Sequence, residues 1–249
     1  MSGSDGGAAL RFVLAQTDST NAEALRRLAS GQAAPFWVLA DRQTAGRGRR
    51  GRPWVSDPGN FYGSVALRLG PEAGQAALRS FTAALALAET LDGLGIDPAR
   101  LSLKWPNDVL LDGQKLAGIL LESTNQNGQL ALVIGVGVNL ASAPPVTAVE
   151  ETAVRPIALA ETGLRITPDA FLDALAPRFA ALEAEFQAKG FAPIRAAWLA
   201  RAARLGQQIT ARMPGREVSG RFETVDESGA VVLDTPTGRL HLPAADIHF

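Results

Sequence analysis

The stretch LSLKWPND (residues 101–108), continued by VLLDGQKLAGILLESTNQNGQLALVIGVGVNL (residues 109–140), decides the fold class. It holds four strand-like runs, Leu101–Trp105, Asp108–Leu111, Lys115–Glu122 and Leu130–Leu140, separated by turn signals at Pro106-Asn107, Asp112-Gly113 and Asn127-Gly128. Asn-Gly between two apolar runs is a strong hairpin signal, because both residues tolerate the positive φ that the favoured two-residue turns require. Upstream, Phe61–Leu69 alternates as a strand, Gln75–Leu94 reads as a long amphipathic helix and Trp37–Ala40 as a short strand. Asp18-Ser19-Thr20-Asn21 offers N-cap chemistry to a helix carrying Ala24, Leu25 and Leu28 that stops before Gly31. Downstream, residues 152–204 are mostly helical, with breaks near Thr167-Pro168 and Gly190. From Leu205 short strands recur, with turns at Pro214-Gly215, Ser228-Gly229 and Thr237-Gly238. The expectation is an α+β domain followed by a small antiparallel barrel, with no internal repeat.

Composition narrows the function. The chain has 249 residues, 24 Lys plus Arg against 25 Asp plus Glu, and 47% hydrophobic residues, which excludes wholesale disorder. Cys is absent, which removes disulfides, thiolate catalysis and zinc-thiolate sites and fits a reducing compartment. The two His, His241 and His248, lie at the far end of the chain, where a Ser-His-Asp triad or multi-His metal site would have to be assembled from the tail. No apolar run reaches the roughly 18 residues of a membrane span, and MSGSDGGAA at the start has neither a basic nor an apolar signal region, so a cytoplasmic protein with a flexible N-terminus over residues 1–10 is expected. Only Lys104, Lys115 and Lys189 are Lys and only six residues are Asn, and two of these Lys and four of these Asn (Asn21, Asn60, Asn107 and Asn139) fall within or beside the segments singled out below.

The segment QTAGRGRRGRPW (residues 43–54) contains GxGxxG, but a dinucleotide fingerprint needs a helix to start inside it, and Pro53 and Asp57-Pro58-Gly59 forbid one. What remains is five Arg between positions 42 and 52 with no acidic residue among them, on a backbone loosened by Gly46, Gly48 and Gly51. Such a loop would repel itself when empty and order around a polyanionic phosphate; a solvated basic loop or nonspecific nucleic-acid patch is the plainer alternative. Lys104-Trp105-Pro106-Asn107-Asp108 puts an ammonium, an amide and a carboxylate at a strand end, where Asp108 could hold Mg²⁺ between phosphate oxygens or simply close a turn. Lys115 is either an edge charge or a point charge placed for an anion. Gly135, Gly137 and Asn139 alternate, so all three project from one face of a strand, as a flat notch for a ligand or as a tight bend. An apolar, glycine-floored slot beside cations and Mg²⁺ suits activation of a small carboxylic acid by a nucleotide.

These segments together, with SerThrAsn at 19–21, GRGRRGRPW at 46–54, KWPND at 104–108, KLAGILLE at 115–122 and GVGVN at 135–139, resemble the ordered motif set of the biotin–protein ligases over residues 17–140. The resemblance implies a mixed-sheet biotin/lipoate ligase-like catalytic domain (residues 11–204) and an SH3-like C-terminal β-barrel (205–249). It implies that biotin and MgATP give biotinyl-5′-AMP and pyrophosphate, and that a lysine of a biotin carboxyl carrier domain then takes the biotinyl group. By motif position, Ser19, Thr20, Gln43, Gly46, Arg47, Lys115, Gly118 and Gly135 would bind biotin, and Arg49, Arg52, Trp54, Asn107 and Asn139 would bind ATP. Trp54 would stack adenine, Asp108 would serve metal and transfer, and Lys115, Arg47 and Arg49 would join it in catalysis. Lys115 and Gly118 lie on opposite faces of an ideal strand, so lining one pocket requires a bulge or the strand end. Only 18 residues precede Ser19, against roughly 55 to 65 for a small folded domain, so DNA binding by an N-terminal domain is not expected; a homodimer is compatible with the sequence. Lipoate–protein ligase and a basic-loop nucleic-acid-binding protein are the competing readings.

Overall fold

A computed structural model describes residues 9–70, 73–126, 128–145, 147 and 154–249. Seven strands, β1 (Leu10–Leu14), β2 (Phe36–Ala40), β3 (Phe61–Leu69), β4 (Leu101–Lys104), β5 (Asp108–Leu111), β6 (Gln114–Gln126) and β7 (Gln129–Val138), form one sheet in the order β1-β2-β3-β7-β6-β5-β4. Strands β1 and β2 are parallel, joined by helix α1 (Thr20–Ala29), and all other neighbours are antiparallel. The sheet is therefore mixed, as expected. Strands β6 and β7 pair out to Gln126↔Gln129, and Gly128 has φ +80°, while the Asn127 half of the hairpin signal lies outside the described residues.

Alternation along the central strands assigns two faces. Trp37, Leu39, Val65, Leu67, Leu132, Ile134 and Val136 face α2 (Arg79–Gly93), α3 (Pro168–Lys189) and α4 (Phe191–Leu199), with Trp37 and Phe179 edge to face at 5.9 Å. Phe36, Val38, Ala66, Ala131 and Val133 face α1 through Ala24 and Leu28. Gly135 and Gly137 continue the α1 side of β7, so side chains disappear from that face just beyond the N-terminus of α1. That trough is the floor of the site.

Two elements differ from the sequence reading. The stretch expected as one helix over Gln75–Leu94 opens as a 3₁₀ turn, Ala73–Leu78, before the α-helix starts at Arg79. Leu78 at the N-cap has no side chain to accept the helix's first N–H groups, and the tighter turn supplies partners. Strand β1 went unread because its LRFVL pattern lacks clean alternation and leaves Leu10 and Val13 exposed at the sheet edge.

The C-terminal strands β8 (Gln208–Met213), β9 (Arg216–Val225), β10 (Val231–Thr235), β11 (Gly238–Leu242) and β12 (Asp246–His248) form an antiparallel sheet in the order β11-β10-β9-β8-β12. The ladder is consistent with an SH3-like domain, but β11 and β12 are its two edges and no pairing between them closes a barrel among the described residues. It docks on the first sheet through Trp105 Nε1, which donates to the Gly229 carbonyl at 2.9 Å, while the segment between α4 and β8 lies along β4, where Leu103 exchanges backbone hydrogen bonds with Arg201 and Ala203. This docking brings β12 to the mouth of the trough.

Candidate functional site

Strand register builds the site. Lys104, Asp108, Gly118, Gly137 and Tyr62 stand side by side across β4, β5, β6, β7 and β3, and in the next row of the same face Gly135 lies between Ser64 and Leu120. A polar wall of Lys104 and Asp108 thus borders a floor of Gly118, Gly137 and Gly135. Lys115 joins that face because the β5–β6 register shifts between Val109 and Leu110: Val109 pairs with Ala117, yet Leu110 pairs with Lys115. The extra residue, Leu116, is the bulge that reconciles Lys115 with Gly118, and Nζ of Lys115 lies 2.8 Å from Oδ1 of the buried Asp108.

The glycine floor is needed sterically. A Cβ on Gly135 would lie 2.3 Å from Asn21 Oδ1, and one on Gly137 would lie 2.6 Å from the Trp54 ring. At Gly118 the nearest Trp54 atom would be 3.0 Å away. The Trp54 indole therefore lies with one side on these glycines, its Nε1 buried without a hydrogen-bond partner, and Lys115 Nζ is 5.7 Å from its centroid. A stacking base would use the other ring face.

The N-terminus of α1 closes one end. Ser19 is the N-cap, but its side chain makes no capping bond. Gln43 Oε1 accepts from Thr20 N at 2.9 Å and Thr20 Oγ1 at 3.2 Å; Ser64 Oγ lies 2.7 Å from both Thr20 Oγ1 and Asn21 Oδ1. Asn21 Nδ2 donates to Glu122 Oε2 at 2.8 Å, and Glu122 Oε1 pairs with Arg47 at 2.8 Å, so one carboxylate ties the helix end to the arginine loop. At the other end, Asn107 Nδ2 donates to the Ile119 carbonyl at 2.7 Å and its Oδ1 accepts from Arg49 at 3.5 Å. Asn139 is buried, its Nδ2 donating to the carbonyls of Ile157 at 3.1 Å and Lys115 at 3.4 Å, which fixes the chain carrying Lys115.

The arginine loop differs from expectation in one respect: Arg47, Arg49, Arg50 and Arg52, four of its five cations, have internal partners. Besides Arg47 with Glu122, Asp246 of β12 lies 2.5 Å from Arg50, 3.0 Å from Arg52 and 3.7 Å from Arg49. Counter-charges far away in sequence offset the self-repulsion inferred from composition. Burial pushes the Asp246 carboxyl up, but Arg50, Arg52 and Arg49 outweigh it and leave it below the ordinary carboxylate value. Burial lowers the Lys104 ammonium, with Lys115 and Arg49 acting in the same direction against Asp108 and Asp246.

The cavity so formed measures about 280 Å³. Of the residues singled out from sequence, Ser19, Thr20, Gln43, Arg47, Arg49, Arg52, Trp54, Asn107, Asp108, Lys115, Gly118, Gly135 and Asn139 all line it. Gly46 does not; it sits behind the wall, where a Cβ would meet Gln43 Nε2 at 2.8 Å and Ser56 Oγ at 2.9 Å. Sequence reasoning missed Ser64, Glu122 and Asp246 as members of the polar network. Ser64 was findable, since β3 and β7 set in register place it opposite Gly135. Nothing local marks Asp246. Five cations against two carboxylates in the lining, beside a floor without side chains, make a site for a polyanion next to a flat, mostly apolar ligand.

That architecture is the class of an acid-activating, nucleotide-dependent ligase, and the chain belongs to the biotin/lipoate A/B protein ligase family, whose profile matches residues 13–139. A biotin protein ligase C-terminal domain profile matches residues 205–249. The chain is 55% identical to the biotin–[acetyl-CoA-carboxylase] ligase of Paracoccus denitrificans over 95% of its own length and 99% of that protein's. It is 36% identical to the bifunctional ligase/repressor BirA of Escherichia coli, over 92% of this chain and 70% of that one. Among solved structures, a biotin protein ligase from Aquifex aeolicus in complex with biotin and ATP is similar at 26% identity, with a TM-score of 0.78 over 96% of this chain and 97% of that one.

Proposed function

We propose that this chain is a biotin–[acetyl-CoA-carboxylase] ligase, which activates biotin with ATP and transfers it to a lysine of a biotin carboxyl carrier domain. In the first step a biotin carboxylate oxygen attacks the α-phosphorus of ATP, the bond to the β-phosphate oxygen breaks, and pyrophosphate leaves. In the second, the carrier lysine's amine attacks the acyl carbon, AMP leaves and the amine's proton goes to solvent. The observation that carries the reading is the sheet row in which Lys104 and Asp108 abut Gly118 and Gly137, with Lys115 brought in by the bulge. It puts an anion-stabilising wall against a slot for a flat acid.

Within this reading, Ser19, Thr20 and Gln43 meet the ring system of biotin, Gly118 and Gly135 let it lie against backbone, and Gly46 sets the wall behind Gln43. Arg47 and Arg49 close the loop over biotin and nucleotide; Arg52, Trp54, Asn107 and Asn139 form the nucleotide side. Lys115 stands where carboxylate and α-phosphate meet, and such a donor stabilises the reacting anions more in the transition state than in either ground state. Residues 11–204 would make the catalytic domain and 205–249 the C-terminal one, in a cytoplasmic protein.

Magnesium fits the residues present. No group of three or more His, Asp or Glu could hold a metal alone among the described residues, and a single carboxylate plus phosphate oxygens is what Mg²⁺ commonly takes. Asp108 would be that carboxylate, and the ion would neutralise phosphate charge.

Incubation with biotin, ATP, magnesium and a biotin carboxyl carrier domain tests the proposal: the carrier should gain the mass of one biotinyl group. Modification with lipoate in place of biotin, and none with biotin, would favour the lipoate reading instead. The nucleic-acid reading is disfavoured because Arg47, Arg49 and Arg52 line the cavity.

A further inference from the structure

Arg50 is set apart from its neighbours in the loop. Arg49 and Arg52 line the cavity, whereas Arg50 does not, and Arg50 makes the shortest contact with Asp246, at 2.5 Å. Its φ is +56°, in the left-handed region where a residue with a Cβ is strained, and Gly51 follows at +73°. The loop keeps that shape where an attraction outweighs the strain. Asp246 supplies the attraction from outside the loop: its carboxylate also reaches Arg52 at 3.0 Å and Arg49 at 3.7 Å, and the neighbouring Ala245 carbonyl accepts from Arg49 at 3.5 Å. One carboxylate thus reaches all three guanidinium groups and holds the loop in place from outside it.

We propose that Asp246 is a positioning residue for ATP: through Arg50 it tethers the arginine loop to the C-terminal sheet, presenting Arg49 and Arg52 to the phosphates before the nucleotide arrives. The proposal rests on the ATP-dependent reading above, and goes beyond it by giving β12 a part in nucleotide capture. It predicts a preorganisation effect, which shows in the concentration of ATP required and leaves the chemistry of the bound complex unchanged.

The experiment compares wild type, Asp246→Ala, Arg50→Ala and the double variant in biotin-dependent pyrophosphate–ATP exchange, and follows tryptic cleavage after Arg47 and Arg49, sites that every variant keeps, without ligand. Each single variant should raise KM for ATP about fivefold, as a partly exposed ion pair does, with kcat and KM for biotin within about twofold. The double variant should be no worse than either single, because both remove one contact. Asp246→Glu should recover part of the loss, and Asp246→Asn, close in shape, should behave like Asp246→Ala if charge is the agent. Tryptic cleavage should quicken in both single variants. An unchanged or lower KM for ATP in Asp246→Ala, multiplying effects in the double, or cleavage no faster than wild type would overturn the proposal. Absence of exchange in the wild type would instead overturn the ligase reading, and the cleavage rates would still decide the tether.

Discussion

The Lys115 ammonium lies 2.8 Å from Oδ1 of Asp108 because β6 carries one extra residue, Leu116, opposite β5. Without that bulge Lys115 would point to the opposite face, among the apolar residues packed on α2, and the site would lose its central cation. The pair also alters the expected cost of removing the lysine, since it is no longer a free edge charge: Asp108 is buried and would be left without its ion partner.

Lys115→Ala should therefore lose about 10²- to 10³-fold in the rate of adenylate formation, as removal of one preorganised donor does. It should also lose roughly 1–3 kcal/mol of stability from the stranded carboxylate. Single-turnover formation of biotinyl-AMP by folded protein, with a parallel melting curve, measures both. Lys115→Arg should recover only part of the rate, since a planar fork cannot sit where a compact ammonium does. A rate within a few-fold of wild type would return Lys115 to a structural role.

Asp108→Asn keeps the shape and removes the charge. Adenylate formation should fall by roughly 10- to 100-fold, the range for a lost charged contact, while calorimetric biotin affinity changes little, because the wall acts after biotin has docked. A large loss of biotin affinity with normal exchange at saturation would reverse the assignment.

Gly135→Ala tests the floor. Its Cβ would come 2.3 Å from Asn21 Oδ1, and Asn21 is buried and bonded to Glu122, so the helix end must shift. Overpacking of this kind typically costs about 1–3 kcal/mol, and biotin binding should weaken with it. A variant of wild-type stability and affinity would show that the helix end yields freely.

The turn at Ser228-Gly229 carries a pH dependence. Ser228 N, Ser228 Oγ and Ala230 N donate to Asp226 Oδ1, and His241 Nδ1 lies 2.7 Å from Oδ2. Burial pushes this carboxyl up, but the Ser228 and His241 bonds, with the Ala230 N–H, outweigh it and bring it to about 2. A depressed carboxyl contributes stability that is fully present above its unfolded value, about 4, and is lost as pH falls through the folded one. Melting temperatures of wild type and Asp226→Asn should thus differ steadily at neutral pH and converge between about pH 4 and 2. A gap that does not narrow over that window would contradict the assignment. Because the Gly229 carbonyl receives Trp105 Nε1, this turn also bears on how the C-terminal sheet docks.

Much of the site was legible in the chain because its parts are local. Alternation along VIGVGVN put Gly135, Gly137 and Asn139 on one face, and the parity conflict between Lys115 and Gly118 required a bulge or the strand end, of which the register contains the bulge. What stayed hidden depends on distant contacts. Asp246 meets Arg49, Arg50 and Arg52 only because two sheets dock, so composition alone overstated the loop's self-repulsion. Glu122 was visible as the end of a motif, but its place between Asn21 and Arg47 needs the fold of α1 against β6. The 3₁₀ entry to α2 escaped because periodicity reports which face is apolar and not which hydrogen-bond ladder the first turn adopts.

The central claim is that this pocket joins biotin to the α-phosphate of ATP, and isotope exchange between pyrophosphate and ATP tests it most directly. With the purified chain and magnesium, exchange should appear only when biotin is added and should collapse in Lys115→Ala. Exchange without biotin, exchange driven by lipoate alone, or none under any of these conditions would contradict it.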